Sequence, residues 1–193
     1  AENARAAGSA ITVRSARLSA KGPLSRLPYA VEGRGASERG AWTVDGRGVL
    51  DDQLAGYLLT FDGRGAIGGQ ELRTVETASF RLGGSEQGAR LRLAGSNGGR
   101  LDLDAALRGE AADVQAKVAN LGLTLFNADL DGRVDATLAL RGQGRRLDGV
   151  LEAQLADARS RGAPASQGVD GSLQARLSGD TLSLEAATTN DQG

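Results

Sequence analysis

The chain has 193 residues, a formal net charge of −1 at pH 7, and neither His nor Cys. The absence of these two residue types removes the commonest general base, thiolate metal sites and any disulfide framework. Acidic and basic side chains are interleaved, so the basic stripe that nucleic-acid binding requires is missing, and no apolar run approaches the roughly 18 residues of a membrane-spanning helix. Glycine accounts for 29 residues and aromatic residues for only 3%, which disfavours a tightly interdigitated core between two sheets.

Alternating apolar and polar residues predict β-strands through the first half of the chain. We predict strands at residues 11–20, 29–35, 41–49, 54–67, 72–82, 91–93, 101–107 and 114–118. The alternation shifts phase at Arg14–Ser15, where we expect a β-bulge, and is lost twice within 72–82, which we interpret as one bulged strand. Residues 21–28 are predicted to form a turn because Pro23 and Pro28 cannot donate to a sheet ladder. Residues 120–127 fit either a strand or a short helical turn.

The clearest pattern covers residues 130–186, where four apolar–polar repeats are joined by short glycine-containing steps. Successive side chains of a strand point to opposite faces, so this pattern predicts antiparallel strands with one apolar face and one polar face. The stretch Ala158–Gly168 is predicted to be an exposed loop. Because the same alternation resumes after it, we expect one continuous unit over residues 1–193 and no domain boundary.

Two glycine signatures recur in the chain. Leu-x-Gly is expected to end strands at Gly84, Gly95, Gly109, Gly142 and Gly179. Asp-Gly occurs at Asp45, Asp62, Asp131, Asp148 and Asp170, and this dipeptide is typical of two-residue hairpin turns. In most of these pairs, however, the glycine continues the apolar alternation. We therefore favour inward-facing glycines near strand ends, where the sheet bends, over turns.

Three patterns could carry chemistry, and each has a simpler interpretation. Gly63–Gly68 matches the G-x-G-x-x-G pattern, but a dinucleotide site requires a helix immediately afterwards and the following residues predict a strand. Asp102 with Asp104, and Asp51 with Asp52, could bind a metal or act as catalytic carboxylates, but no further ligands converge on them. We expect these acids to be solvated and to pair with arginines across strands. We therefore predict no enzymatic activity, no cofactor and no metal.

The apolar face needs an explanation because no amphipathic helix is available to cover it. Ten to twelve strands at about 4.8 Å spacing would form a sheet roughly 50 Å long. We predict an all-β fold: an elongated, curved, mostly antiparallel meander folded into a trough with an apolar groove. The residues predicted to line this groove and hold acyl chains are Tyr57, Leu59, Phe61, Leu91, Leu93, Leu101, Leu103, Leu107, Val114, Val118, Val134, Leu138, Leu140, Leu151, Leu155, Leu173, Leu177, Leu182 and Leu184.

The strand pattern LDGxVDAxLxLxG, LDGxLEAxL and VDGSLxAxLSGxxLSLEA resembles that of the TamB/AsmA-like proteins of Gram-negative bacteria. The resemblance is strongest over residues 111–190. It implies the periplasmic part of an inner-membrane-anchored protein, a segment without the anchor or the extreme C-terminal partner-binding end. It also implies transport of phospholipids towards the outer membrane and cooperation with a BamA-like barrel protein, TamA, in outer-membrane protein assembly.

The sequence is therefore compatible with two functions of different class. The first is a lipid conduit that shields acyl chains and performs no chemistry. The second is a structural or interaction module, either an adhesin-like β-domain or a scaffold that assists outer-membrane protein assembly through its open sheet edges. The second function requires a dry, closed core, whereas the first requires an accessible apolar groove.

Overall fold

The structure, a computed structural model, describes residues 2–5, 11–144 and 146–189. These residues form an all-β fold, and fourteen strands of the described chain belong to one antiparallel sheet. The strands are β1 Glu2–Arg5, β2 Thr12–Ala20, β3 Arg26–Ser37, β4 Gly40–Gln53, β5 Gly56–Ile67, β6 Gln70–Thr74, β7 Ala78–Leu82, β8 Glu86–Gly95, β9 Arg100–Arg108, β10 Ala111–Gly122, β11 Leu130–Gln143, β12 Arg146–Ser160, β13 Val169–Ser178 and β14 Thr181–Thr189.

The strands follow one another across the sheet in chain order, as expected for an antiparallel meander. One position is shared: β6 and β7 both lie between β5 and β8. Two 3-10 helices, Leu123–Leu125 and Ala165–Gln167, interrupt the strands. No helix in the described ranges is long and apolar enough to cross a membrane. The elongated, curved, antiparallel all-β prediction is confirmed.

Four local predictions are corrected or completed by the structure. Residues 72–82 are two strands, β6 and β7, because the chain leaves the ladder between them. Pro28 lies inside β3 and not in a turn, and it is tolerated because β2 ends at Ala20, opposite Tyr29. Strand β12 continues to Ser160, so the loop after it is shorter than predicted. The stretch 120–127 is a strand that ends at Gly122 and passes into a 3-10 helix.

The Asp-Gly pairs lie within strands and not in hairpin turns, as favoured, but the expected position near strand ends is wrong for Gly46 and Gly63. Gly46 of β4 is paired with Gly63 of β5 in the middle of both strands, and Gly149 and Gly171 lie inside β12 and β13. Gly132 coincides with a register shift between β11 and β12. The predicted bulge near Arg14–Ser15 is also confirmed by a register shift.

The register gives the sheet two chemically different faces. We call the face that carries Leu138 the apolar face and the face that carries Thr137 the polar face. Leu138 is opposite Ala116 on β10 and Leu151 on β12, so apolar residues continue across neighbouring strands. Thr137 is opposite Lys117 and Glu152 in the same way.

Little of this sheet is fully buried. The accessible surface is 12840 Å², about one and a half times the roughly 8,600 Å² of a compact monomer of this mass. The buried core cluster consists of Leu121, Leu123 and Val134. It lies where the chain leaves β10, beside the 3-10 helix Leu123–Leu125.

The sheet curls towards its apolar face at this cluster. Strands β6 and β10 are three positions apart, which is about 14 Å in a flat sheet. Nevertheless, Leu72 of β6 packs against the cluster that contains Leu121. The side chain of Gln70 also lies only 3.3 Å from the position of an ideal Cβ on Gly122. Contacts this close require strong curvature.

Candidate functional site

The apolar face is the candidate site, and the register places every residue predicted to line the groove on it. On β5 this face carries Tyr57, Leu59 and Phe61. On β8 to β14 it carries the other predicted residues. One example is the row Leu93, Leu101 and Val118, in which each residue is directly opposite the next. The predicted residues therefore all lie on one face, although β6 and β7, which carry none of them, separate the β5 group from the rest.

The apolar face is more shielded than the polar face. Ala136 and Ala139 are the same residue type on one strand, yet Ala136 on the apolar face is half-buried and Ala139 on the polar face is exposed. This shielding fades towards the two ends of the sheet, where Leu18 of β2 is 71% exposed and Leu182 of β14 is 65% exposed. The middle of the apolar face is therefore its most sheltered part.

Most of this face has no second layer over it in the described chain. The described strands make their substantial contacts with the strands they pair with, so none of them folds back over the sheet. The 3-10 helix Leu123–Leu125 is the exception, because it packs against β11 and the apolar residues around Val134. An apolar surface with this little cover remains available to a ligand.

A cavity of about 370 Å³ lies on the apolar face between β4 and β8. Its apolar lining includes Phe61, Ile67, Leu72, Phe80, Leu91 and Leu93. Gln70 and Thr74 supply the polar atoms on the same face, and the hydroxyl of Thr74 is already bonded to the backbone of Gly63. This volume is within the range of small-molecule sites, which are mostly apolar with few polar groups.

Aromatic rings lie against glycines on the floor of this region. A side chain on Gly46 or Gly63 would meet the ring of Phe61, and one on Gly35 would meet the indole of Trp42 at 2.6 Å. The rings occupy the space that side chains on these glycines would fill. Gly35, Gly46 and Gly63 are therefore required for the packing of these rings on the apolar face.

The polar face is organised by ion pairs between neighbouring strands, as predicted from the interleaved charges. Arg90 contacts Asp104 at 3.2 Å, and Arg92 contacts both Asp102 at 3.6 Å and Asp104. The hydrogen bond from Arg92 lowers the pKa of the Asp104 carboxyl, and the bond from Arg90 acts in the same direction. Both carboxylates are thus engaged by arginines of the neighbouring strand.

The other two chemical patterns lie in ordinary strand positions. Asp51 pairs with Arg26 at 3.8 Å, and its neighbour Asp52 points to the opposite face. Among the residues with described positions, no group of three His, Cys, Asp or Glu side chains could hold a metal ion. Gly63–Ile67 ends β5 and is followed by strand β6, so the helix that a dinucleotide site needs does not follow.

Some residues of the site were not predicted. Val44 and Ile67 follow the alternation but were not included in the groove. Leu72 and Phe80 were missed because the phase losses in 72–82 concealed that both residues face the cavity. The register identifies them, because it places Leu72 opposite Gly65 and Phe80 opposite Leu59.

The comparisons with known proteins do not assign the chain to a family. No family model, no curated protein and no solved structure matches it. The function must therefore be argued from the apolar face itself.

Proposed function

We propose that this chain is part of a non-enzymatic lipid conduit whose apolar face shields phospholipid acyl chains. The observation that carries the proposal is the continuous apolar face, which spans the sheet and has almost no second layer. Each buried methylene contributes about 0.8 kcal/mol, so a dozen would contribute roughly 10 kcal/mol before entropic costs. An uncovered apolar surface of this size is otherwise unfavourable in water.

The resemblance to the TamB/AsmA-like family supports a setting for this activity. The segment would lie in the periplasm of a Gram-negative bacterium, as part of an inner-membrane-anchored protein. It would guide phospholipids towards the outer membrane and so support outer-membrane biogenesis. A BamA-like barrel protein corresponding to TamA would be its outer-membrane partner.

A charge on the apolar face tests this function. Leu138→Asp places a carboxylate among half-buried apolar residues, whereas Thr137→Asp places one on the exposed polar face. We expect phospholipid that co-purifies with the protein to fall at least several-fold in Leu138→Asp and to be unchanged in Thr137→Asp. Equal lipid content in the two variants, with both folded by circular dichroism, would contradict the conduit.

Strand β14, the last strand of the described sheet, supports a second candidate function, a scaffold that templates strands of client proteins. Every residue of β14 is exposed, and its pairing with β13 shows no bulge. It also contains no Pro or Lys, the residues that commonly protect a sheet edge. Such an edge can accept another strand.

Proline substitutions distinguish the scaffold from the conduit. Consecutive N–H groups of a strand point to opposite sides. One of the two substitutions Glu185→Pro and Ala186→Pro therefore removes an N–H group on the side of β14 that faces away from β13. A scaffold loses client assembly in one of these two variants and tolerates Leu138→Asp. A conduit tolerates the proline substitutions and loses its function in Leu138→Asp.

A further inference from the structure

The apolar cavity has one polar end. Gln70 lines the cavity, and its side-chain oxygen accepts a hydrogen bond from Nδ2 of Asn97 at 3.4 Å. Asn120 Nδ2 in turn donates to the backbone oxygen of Asn97 at 3.1 Å. We call Gln70, Asn97 and Asn120 the amide lip. It brings together residues from β6, the β8–β9 turn and β10.

At the opposite end of the same strands, apolar side chains are exposed beside Asp52 and Gln87. Tyr57 at the start of β5 is directly opposite Leu82 at the end of β7, and these side chains are 50% and 48% exposed. Leu107 at the end of β9 is 45% exposed. We call these three residues the apolar lip. The apolar face therefore changes from amides at one edge, through Phe61 and Phe80, to exposed apolar side chains at the other.

On its apolar side the cavity offers no cation to an anionic group, because its one described charged residue belongs to the polar face. Of the described residues that line it, one is charged: Arg64, whose side chain is 79% exposed and lies 3.8 Å from Asp45. An anion placed among the remaining lining residues would lose water without gaining an ion partner. Amide side chains supply both donors and acceptors, and thus suit an uncharged hydrogen-bonding group.

We infer that the cavity binds an acyl chain of an acylglycerol, with the uncharged glycerol-ester region at the amide lip. The tail extends over Phe61 and Phe80 towards the apolar lip. In a phospholipid the same region is bound while the phosphate stays in water. This inference rests on the proposed function, since it specifies which part of a lipid the groove recognises and how the lipid is oriented.

Two probes with the same tail test the inference: 1-monolauroylglycerol and laurate, each titrated calorimetrically below its micellar concentration. We expect the wild-type protein to bind 1-monolauroylglycerol about 3- to 10-fold more tightly than laurate, as one or two neutral hydrogen bonds allow. Gln70→Ala should weaken binding of 1-monolauroylglycerol by about the same factor and leave laurate unchanged.

Gln87→Ala is the control, because Gln87 is also a glutamine of the apolar face but is exposed and lies opposite Leu107, at the apolar lip, whereas Gln70 is half-buried. It should change neither dissociation constant. If both probes bind equally, or Gln70→Ala and Gln87→Ala have equal effects, the amide lip is not a recognition site, although acyl-chain binding stands. If neither probe binds, both the inference and the proposed function are overturned for this cavity.

Discussion

At the scale of single residues, the contact between Phe61 and the strand glycines has a measurable energetic consequence. A Cβ on Gly46 would collide with the ring of Phe61 and approach the backbone oxygen of Asp62 at 2.8 Å. We expect Gly46→Ala to lower the free energy of unfolding by about 1–3 kcal/mol, as overpacking does. Urea unfolding measures this value.

Gly171 provides the matched control, because it also follows an aspartate within a strand but has more room. The nearest atom to an ideal Cβ there is the Ala187 oxygen at 3.3 Å. Gly171→Ala should change the unfolding free energy by less than about 1 kcal/mol. In a Phe61→Ala background the cost of Gly46→Ala should shrink, whereas an undiminished cost would mean that the ring is not the obstacle.

A second residue-scale prediction concerns the pH dependence of the polar face. Arg92 and Arg90 lower the pKa of Asp104 below its ordinary value of 3.8. A lowered pKa stabilises the folded state fully above pH 3.8, and the contribution is lost as pH falls through the folded-state pKa. Since the Asp104 side chain is 45% exposed, we expect its ion pairs to contribute less than about 1 kcal/mol to the free energy of unfolding.

Asp104→Asn isolates this contribution. The stability difference between wild type and this variant should be present at neutral pH and shrink as pH falls below 3.8. Chemical unfolding at several pH values measures it. A difference that stays constant down to the lowest pH would show that the ion pairs of Asp104 do not contribute.

At the scale of elements, the 3-10 helix Leu123–Leu125 contains an unfavourable feature. Thr124 is 6% exposed, and its hydroxyl has no hydrogen-bond partner among the residues that the structure describes. Thr124→Val replaces this buried hydroxyl with a methyl group at a position next to Leu123 of the buried cluster. We expect it to raise the unfolding free energy by about 1–2 kcal/mol.

Thr137→Val is the comparison for this substitution, because Thr137 is exposed on the polar face. It should change stability by less than about 0.5 kcal/mol in thermal or urea unfolding. A loss of stability in Thr124→Val would indicate that the hydroxyl has a partner in solution, such as a water molecule.

The strands could be predicted from the sequence more completely than the curvature. Alternation has a period of two, so residues such as Leu138 and Leu151 are assigned to a face from local sequence alone. The curl that brings Leu72 to Leu121 depends on contacts between distant strands, and local alternation contains no signal for it. The cavity depends on that curl, so its polar end at Gln70 could not be predicted.

At the scale of the whole molecule, the sheet is stabilised more by lateral pairing than by a central core. Adjacent strands are hydrogen-bonded along much of their length, and the polar face adds cross-strand ion pairs. The apolar face contributes a half-buried surface and one small buried cluster. A protein built in this way keeps a long apolar surface accessible while ion pairs link neighbouring strands on the opposite face.

The most direct test of the central claim is photo-crosslinking in a Gram-negative periplasm. A photoreactive amino acid replaces Leu138 on the apolar face in one variant and Thr137 on the polar face in another. Mass spectrometry then scores covalent lipid adducts. The conduit predicts adducts at position 138 and none at position 137. No adduct at either position, or equal adducts at both, would contradict a lipid-binding apolar face and favour the scaffold.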